Sequence, residues 1–212
     1  MLNYEKKLHF DEHYKKLQSF KGPQKIGALF WGEAGFVLGY LLLKYALQFL
    51  PDVSPWSHAE VWFTFYSIPF SKYDGPYILF GLAANCYGSL RLAKITAQNH
   101  SVKNEKSGVP AKLLTDGCYA GVRHPMYGAF LILHASLLLS LRSLIGMLLA
   151  LAVAGFQYLN ARWEENRELR PLFAEEYERY AGAVRRVLLR KGEVLVLTAA
   201  VLLSLAGLVS NL

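Results

Sequence analysis

The sequence predicts an all-α, multi-pass membrane protein with about five transmembrane helices. Three observations carry that expectation. The chain is 53% hydrophobic with a mean hydropathy of +0.21, high for a soluble domain and ordinary for a small protein of several spans. Its Lys and Arg residues fall mainly between apolar runs. Two of those runs, 129–141 and 144–159, are separated only by Arg142 and Ser143, so they must fold back as an antiparallel helical hairpin.

Charge and cysteine content narrow the class. The net charge is +7, but its placement between apolar runs favours anionic membrane lipids as partner and argues against nucleic acid. Cys86 and Cys118 make no disulfide framework. Residues 1–25 are too charged for a cleaved signal peptide.

Taken in order, the chain divides into four regions. Residues 1–25 are Lys-rich, with Leu8, Phe10, Tyr14 and Leu17 loosely on one helical face, and read as an N-terminal interfacial segment. Residues 26–97 hold the first two spans, 26–50 with Glu33 and Lys44, and 75–97 with Asn85, Arg91 and Lys94. An amide in lipid is costly, so Asn85 should face protein, while the charged side chains near the ends can reach the headgroups. Between them, Trp56, Trp62, Phe63, Phe65, Tyr66, Phe70 and Tyr73 mark an aromatic loop at the membrane boundary or re-entrant into it. Residues 98–191 form a core of loop, hairpin and charged surface helix. Residues 192–212 contain the fifth span.

Orientation follows from the basic residues. Six precede residue 26, four lie in 98–125 and eight in 162–191, against Lys72 alone between the first two spans and Arg142 alone within the hairpin. The positive-inside rule puts the N-terminus, the loop before the hairpin and the Arg-rich segment on the cytoplasmic side of an inner or endoplasmic reticulum membrane.

The hairpin locates the chemistry. Pro125 lies seventeen residues before Arg142 and Leu159 seventeen after it, which makes each arm about 25 Å long. Arg162, Glu164 and Glu165 therefore return to the level of Arg123, His124 and Tyr127, at one mouth. Individually these residues have plain uses. Pro125 suits a first helical turn, His124 a helix entry, and Arg123 and Arg162 membrane anchoring. Two acids at a helix C-terminus, however, oppose the macrodipole and call for a cationic partner. No metal site is expected, since the other histidines lack ligand spacing.

The combination resembles the isoprenylcysteine carboxyl methyltransferase family, within the wider group of integral-membrane methyltransferases that includes phospholipid N-methyltransferases. The resemblance covers about residues 104–189. It is carried by Asn104-Glu105-Lys106-Ser107, by Arg123-His124-Pro125-Met126-Tyr127 after a Gly-x-Tyr turn, by Glu164-Glu165, and by the stretch from Phe173-Ala174-Glu175-Glu176-Tyr177 to Val184-Arg185-Arg186-Val187. Two departures stand out. The family usually has Phe-Gly where this chain has Phe173-Ala174. The acidic pair also lies one residue further from Phe173 than usual, so that either Pro171 marks an insertion or Glu165 and Asn166 take the pair's positions.

The resemblance implies S-adenosylmethionine as methyl donor. It places Tyr119, His124, Pro125, Tyr127 and one or both of Glu164 and Glu165 at the cofactor. Helix N–H groups suit its carboxylate, a glutamate its ammonium, Met126 and Trp163 its adenine, and Tyr119 and Tyr127 its sulfonium. The acceptor is then a lipophilic small molecule or lipidated substrate, first of all a carboxylate oriented by Arg162 or Arg123. For an amine, Glu165 or Glu105 would take the proton. Phospholipid N-methylation and thiol S-methylation remain alternatives. A nicotinamide-dependent membrane reductase and a non-enzymatic membrane protein are the readings from other classes.

Overall fold

The computed structural model describes residues 22–56, 61–100 and 112–209. The N-terminal segment before residue 22 and the Asn104–Glu105–Lys106–Ser107 motif lie outside the described residues. The chain is mostly helical. Helix α1 spans Gly22–Leu47, α2 Asp74–His100, α3 Pro125–Ser140 and α4 Leu144–Glu164. A π turn, Glu165–Leu169, leads into α5, Arg170–Ala183, and α6 spans Lys191–Val209.

Helix α3 lies at the centre and packs against α1, α2 and α4, with α6 touching α3 and α4. It is almost wholly apolar, and its buried residues run from Pro125 to Ser140. Its length of 16 residues gives only about 24 Å, less than the hydrocarbon thickness of about 30 Å. Close approach of α2 is made possible at Gly88, where a Cβ would press on Leu133 and Ile132 of α3. Phe36 and Tyr40 of α1, Leu131 and Leu138 of α3 and Met147 of α4 close the main core.

The far end of the hairpin is tied by Asp74, which is 1% exposed. It accepts from Lys44 Nζ at 2.7 Å, Arg142 Nε at 3.2 Å and the Ser71 backbone N–H at 2.6 Å. Arg142 Nη1 also donates to the carbonyls of Pro55 and Trp56. Ser143 caps α4 by accepting from the Gly146 N–H at 2.9 Å. The break in the apolar pattern thus marks both a turn and a polar hub.

Polar and charged residues inside the first two helices meet partners as well. Asn85 Nδ2 donates to Glu33 Oε1 and to the Gly32 carbonyl, as expected of an amide facing protein. Arg91 does not reach outward. It meets Glu193 of α6 at 2.5 Å and donates to the Leu188 carbonyl.

Two expectations need correction. The aromatic loop contains an antiparallel β-hairpin, β1 Val61–Phe65 and β2 Ile68–Ser71, so the fold is not purely α. Its strands turn at Tyr66 and Ser67, both at positive φ, as a two-residue hairpin turn requires. Ile68 and Phe70 point into the core, while every residue of β1 is exposed. Secondly, Glu164 and Glu165 are not at a helix C-terminus. The Arg170 N–H bonds the Glu165 carbonyl five residues back, and the rod continues to Ala183. The wider turn also leaves room for Pro171, which has no N–H to give and crowds the carbonyl four residues earlier in a regular helix.

Two helical stretches, Leu144–Ala183, which is kinked at Ala174, and Lys191–Val209, are long and apolar enough to cross a membrane.

Candidate functional site

The hairpin mouth is assembled from three elements. After α5 the chain runs extended past the start of α3, with Arg123 N–H donating to the Arg186 carbonyl and His124 N–H to the Val187 carbonyl. Gly128, one turn inside α3, lies against this segment. A Cβ there would run into the Leu188 carbonyl. Pro125 takes the first helical position, where a missing N–H costs nothing.

His124 then faces the rod. Its Nδ1 lies 3.3 Å from Glu164 Oε2 and its Nε2 3.1 Å from Glu165 Oε1. With a carboxylate at each nitrogen, the arrangement favours the imidazolium form, in which both nitrogens donate. Burial alone would lower its pKa. The hydrogen bonds and charges of Glu164 and Glu165 outweigh that and raise it above the ordinary 6.5. The ring stacks on Tyr127, centroids 5.7 Å apart.

Glu165 is fully buried. Besides His124 it meets Arg123 Nε at 2.8 Å and Arg162 Nη1 at 2.6 Å. Arg123 Nη1 donates onward to the Val184 carbonyl at 3.0 Å. This cluster holds the extended segment, α3 and the rod together. Its members are spaced far apart in sequence, and the hairpin geometry is what brings them within hydrogen-bond reach.

Beside the cluster is a cavity of about 330 Å³. Arg123, His124, Tyr127, Glu164 and Tyr119 line it, with Met126. Glu165 and Pro125 do not reach it. Arg162 stays outside, about 40% exposed and paired to Glu165. Trp163, expected near an adenine, is 58% exposed and is not among the cavity's lining residues. Glu105 lies outside the described residues. The structure thus brings Arg123, His124, Tyr127 and Glu164 together at one cavity, and sets Glu165 behind them as a buried support.

Sequence reasoning missed the opposite wall. Thr96 and Asn99 of α2 line the cavity, as do Phe173, Tyr177 and Tyr180 of α5. Asn99 Oδ1 accepts from the Tyr119 hydroxyl at 2.7 Å, and the Tyr180 hydroxyl donates to the Tyr119 carbonyl at 2.8 Å. Burial pushes the Tyr119 phenol up to about 12, so it is neutral and donates. The polar end of α2 carried no signal for this role. The Phe173–Tyr180 stretch did, through the resemblance, but without a side-chain assignment.

Among the described residues no group of three or more His, Cys, Asp or Glu side chains is arranged to hold a metal ion. Comparison of the chain with family models, curated proteins and solved structures finds no match.

Proposed function

We propose that this chain is an integral-membrane, S-adenosylmethionine-dependent methyltransferase acting on a lipophilic acceptor, with five spans and a cytoplasmic site. The observation that carries the reading is Glu164. It is a partly exposed carboxylate, and among the described residues the one acidic side chain, in a cavity that also presents the rings of Tyr119, Tyr127, Phe173, Tyr177 and Tyr180, at the mouth of an apolar hairpin. The lining fits the cofactor's chemistry. Glu164 suits the ammonium, the N–H groups of Met126 and Tyr127 at the α3 start suit the carboxylate, and the Tyr127 ring suits the sulfonium. The bound cofactor supplies a methyl group on sulfur. Its transfer to a carboxylate oxygen would break the S–C bond, form an ester and leave a neutral thioether.

The protein's part is alignment and exclusion of water. His124 holds Glu164 in place, and Tyr127 packs over His124. Arg162 is the available guanidinium for an acceptor carboxylate, since one nitrogen meets Glu165 and the side chain is still partly exposed. Arg123 is committed to Glu165 and to backbone carbonyls.

The membrane part rests on exposed apolar surface. Trp31 and Ile26 of α1, Phe156 and Leu159 of α4, and Leu195 and Leu202 of α6 are all more than half exposed. A soluble monomer does not present apolar faces on this scale.

Calorimetry in detergent tests the class. Binding of S-adenosylmethionine without binding of NADPH is expected, and the reverse would replace methyl transfer with a reductase reading. Labelled donor supplied to membranes tests the acceptor. A methyl ester releases methanol in mild base, whereas base-stable label would favour the phospholipid or thiol alternative.

A further inference from the structure

Two neighbouring side-chain groups of the cavity lining differ in charge. Glu164, His124 and Tyr127 form the first. Asn99, Tyr119 and Met126 form the second. Asn99 Oδ1 is occupied by the Tyr119 hydroxyl at 2.7 Å. Its Nδ2 faces Met126 Sδ at 3.9 Å, a weak acceptor at a long distance. Turning the amide over would aim its oxygen at a thioether that has no proton to offer. The donor side of the amide is therefore left facing a cavity, beside a polarizable sulfur and a phenol ring.

A neutral amide donor of this kind does not select an anion. Phosphate and carboxylate recognition uses cations or several converging N–H groups, and the nearby His100 and Lys112 are exposed residues of the lining. Nor does it select a cation, which it would repel. It suits a flat, uncharged ring that carries a hydrogen-bond acceptor at its edge. In nucleic-acid recognition an amide N–H donated to adenine N7 is one of the two bonds of amide-to-purine pairing.

We propose that Asn99 is a specificity-determining residue of this site, its amide N–H reading one ring nitrogen of a purine while Tyr119 fixes the amide's orientation. The inference rests on the cofactor reading above and deepens it. The adenine lies with α2 and Met126, and the charged amino-acid end lies with Glu164. Asn99 is a positioning group for the nucleoside and takes no part in methyl transfer.

The test uses the whole protein in detergent, with S-adenosylhomocysteine as probe, together with its 1-deaza, 3-deaza and 7-deaza adenine analogues. In the wild type, one of the three should bind about tenfold more weakly, the worth of about one hydrogen bond. Asn99→Ala should abolish that discrimination, so that the parent compound and the selected analogue bind alike. Asn99→Asp keeps the acceptor for Tyr119 and removes the donor, and should weaken the parent compound while the analogue loses less. Equal binding of all three analogues by the wild type overturns the proposal without any variant having to fold. Discrimination that persists in Asn99→Ala overturns it too. Either result leaves the cofactor reading standing if the parent compound still binds. Failure of the wild type to bind the parent compound overturns both.

Discussion

Glu164 and Glu165 are adjacent in sequence and differ in what surrounds them. Glu165 meets two guanidiniums and an imidazolium in a buried site, so neutralising it strands cations that have lost their partner. Glu165→Gln should cost about 3–5 kcal/mol of stability, read as a lower unfolding midpoint in detergent. Glu164→Gln should leave that midpoint nearly unchanged and weaken S-adenosylmethionine binding about tenfold or more. An equal loss of stability in both would mean that neither faces a ligand. His124 adds a pH signature. Its folded pKa lies above the unfolded 6.5, so its contribution is complete below that value and is lost as pH rises through the folded one. The stability gap between wild type and His124→Gln should therefore be widest in mild acid and shrink toward alkaline pH. A gap that widens with pH would contradict the carboxylate–imidazolium–carboxylate arrangement.

The two departures of the rod from the resembled family's pattern have backbone counterparts. An acidic pair one residue too far from Phe173 is matched by a π turn at Glu165–Leu169, the usual way for a helix to absorb one extra residue. The missing glycine is matched at Ala174, whose φ of 42° and ψ of −119° bend the helix. A Cβ is disfavoured there, and glycine is not. Ala174→Gly should raise stability by about 1 kcal/mol, although glycine in a regular helix would lower it by a similar amount. A lower unfolding midpoint would show that Ala174 is helical in solution. Both irregularities were visible in the sequence as mismatches, but their conformations were not, because spacing does not say whether an extra residue loops out or widens a turn. The β-hairpin was hidden for a different reason. Its turn is Tyr66-Ser67, without the Asn-Gly or Asp-Gly signal that marks positive φ at two positions.

At the scale of the molecule, the main helices were legible from their apolar runs, and those in the rod and in α6 are long enough to cross a membrane. The pairing of their charges was not, since partners such as Arg91 and Glu193 lie about a hundred residues apart in sequence. Those pairings sharpen the orientation argument. At the far end, Lys44 and Arg142 share Asp74, so their charges are offset locally and count little toward the headgroup field. At the site end Arg185, Arg186, Arg190 and Lys191 are all exposed. Exposed positive charge is thus concentrated at the site end, and the proposed topology puts that end on the cytoplasmic side. A background lacking Cys86 and Cys118 allows this to be measured, with Tyr66→Cys at the exposed hairpin turn and Arg185→Cys beside the cavity. A membrane-impermeant maleimide added to sealed, right-side-out vesicles should label position 66 at once and position 185 only after permeabilisation. Position 66 touches neither buried charge cluster, and Arg185 meets the site cluster only through its backbone carbonyl, which the substitution keeps. Labelling of both from the outside would reject a chain that crosses the bilayer between them, and would return α4 and α6 to the interior of an assembly that covers their apolar faces.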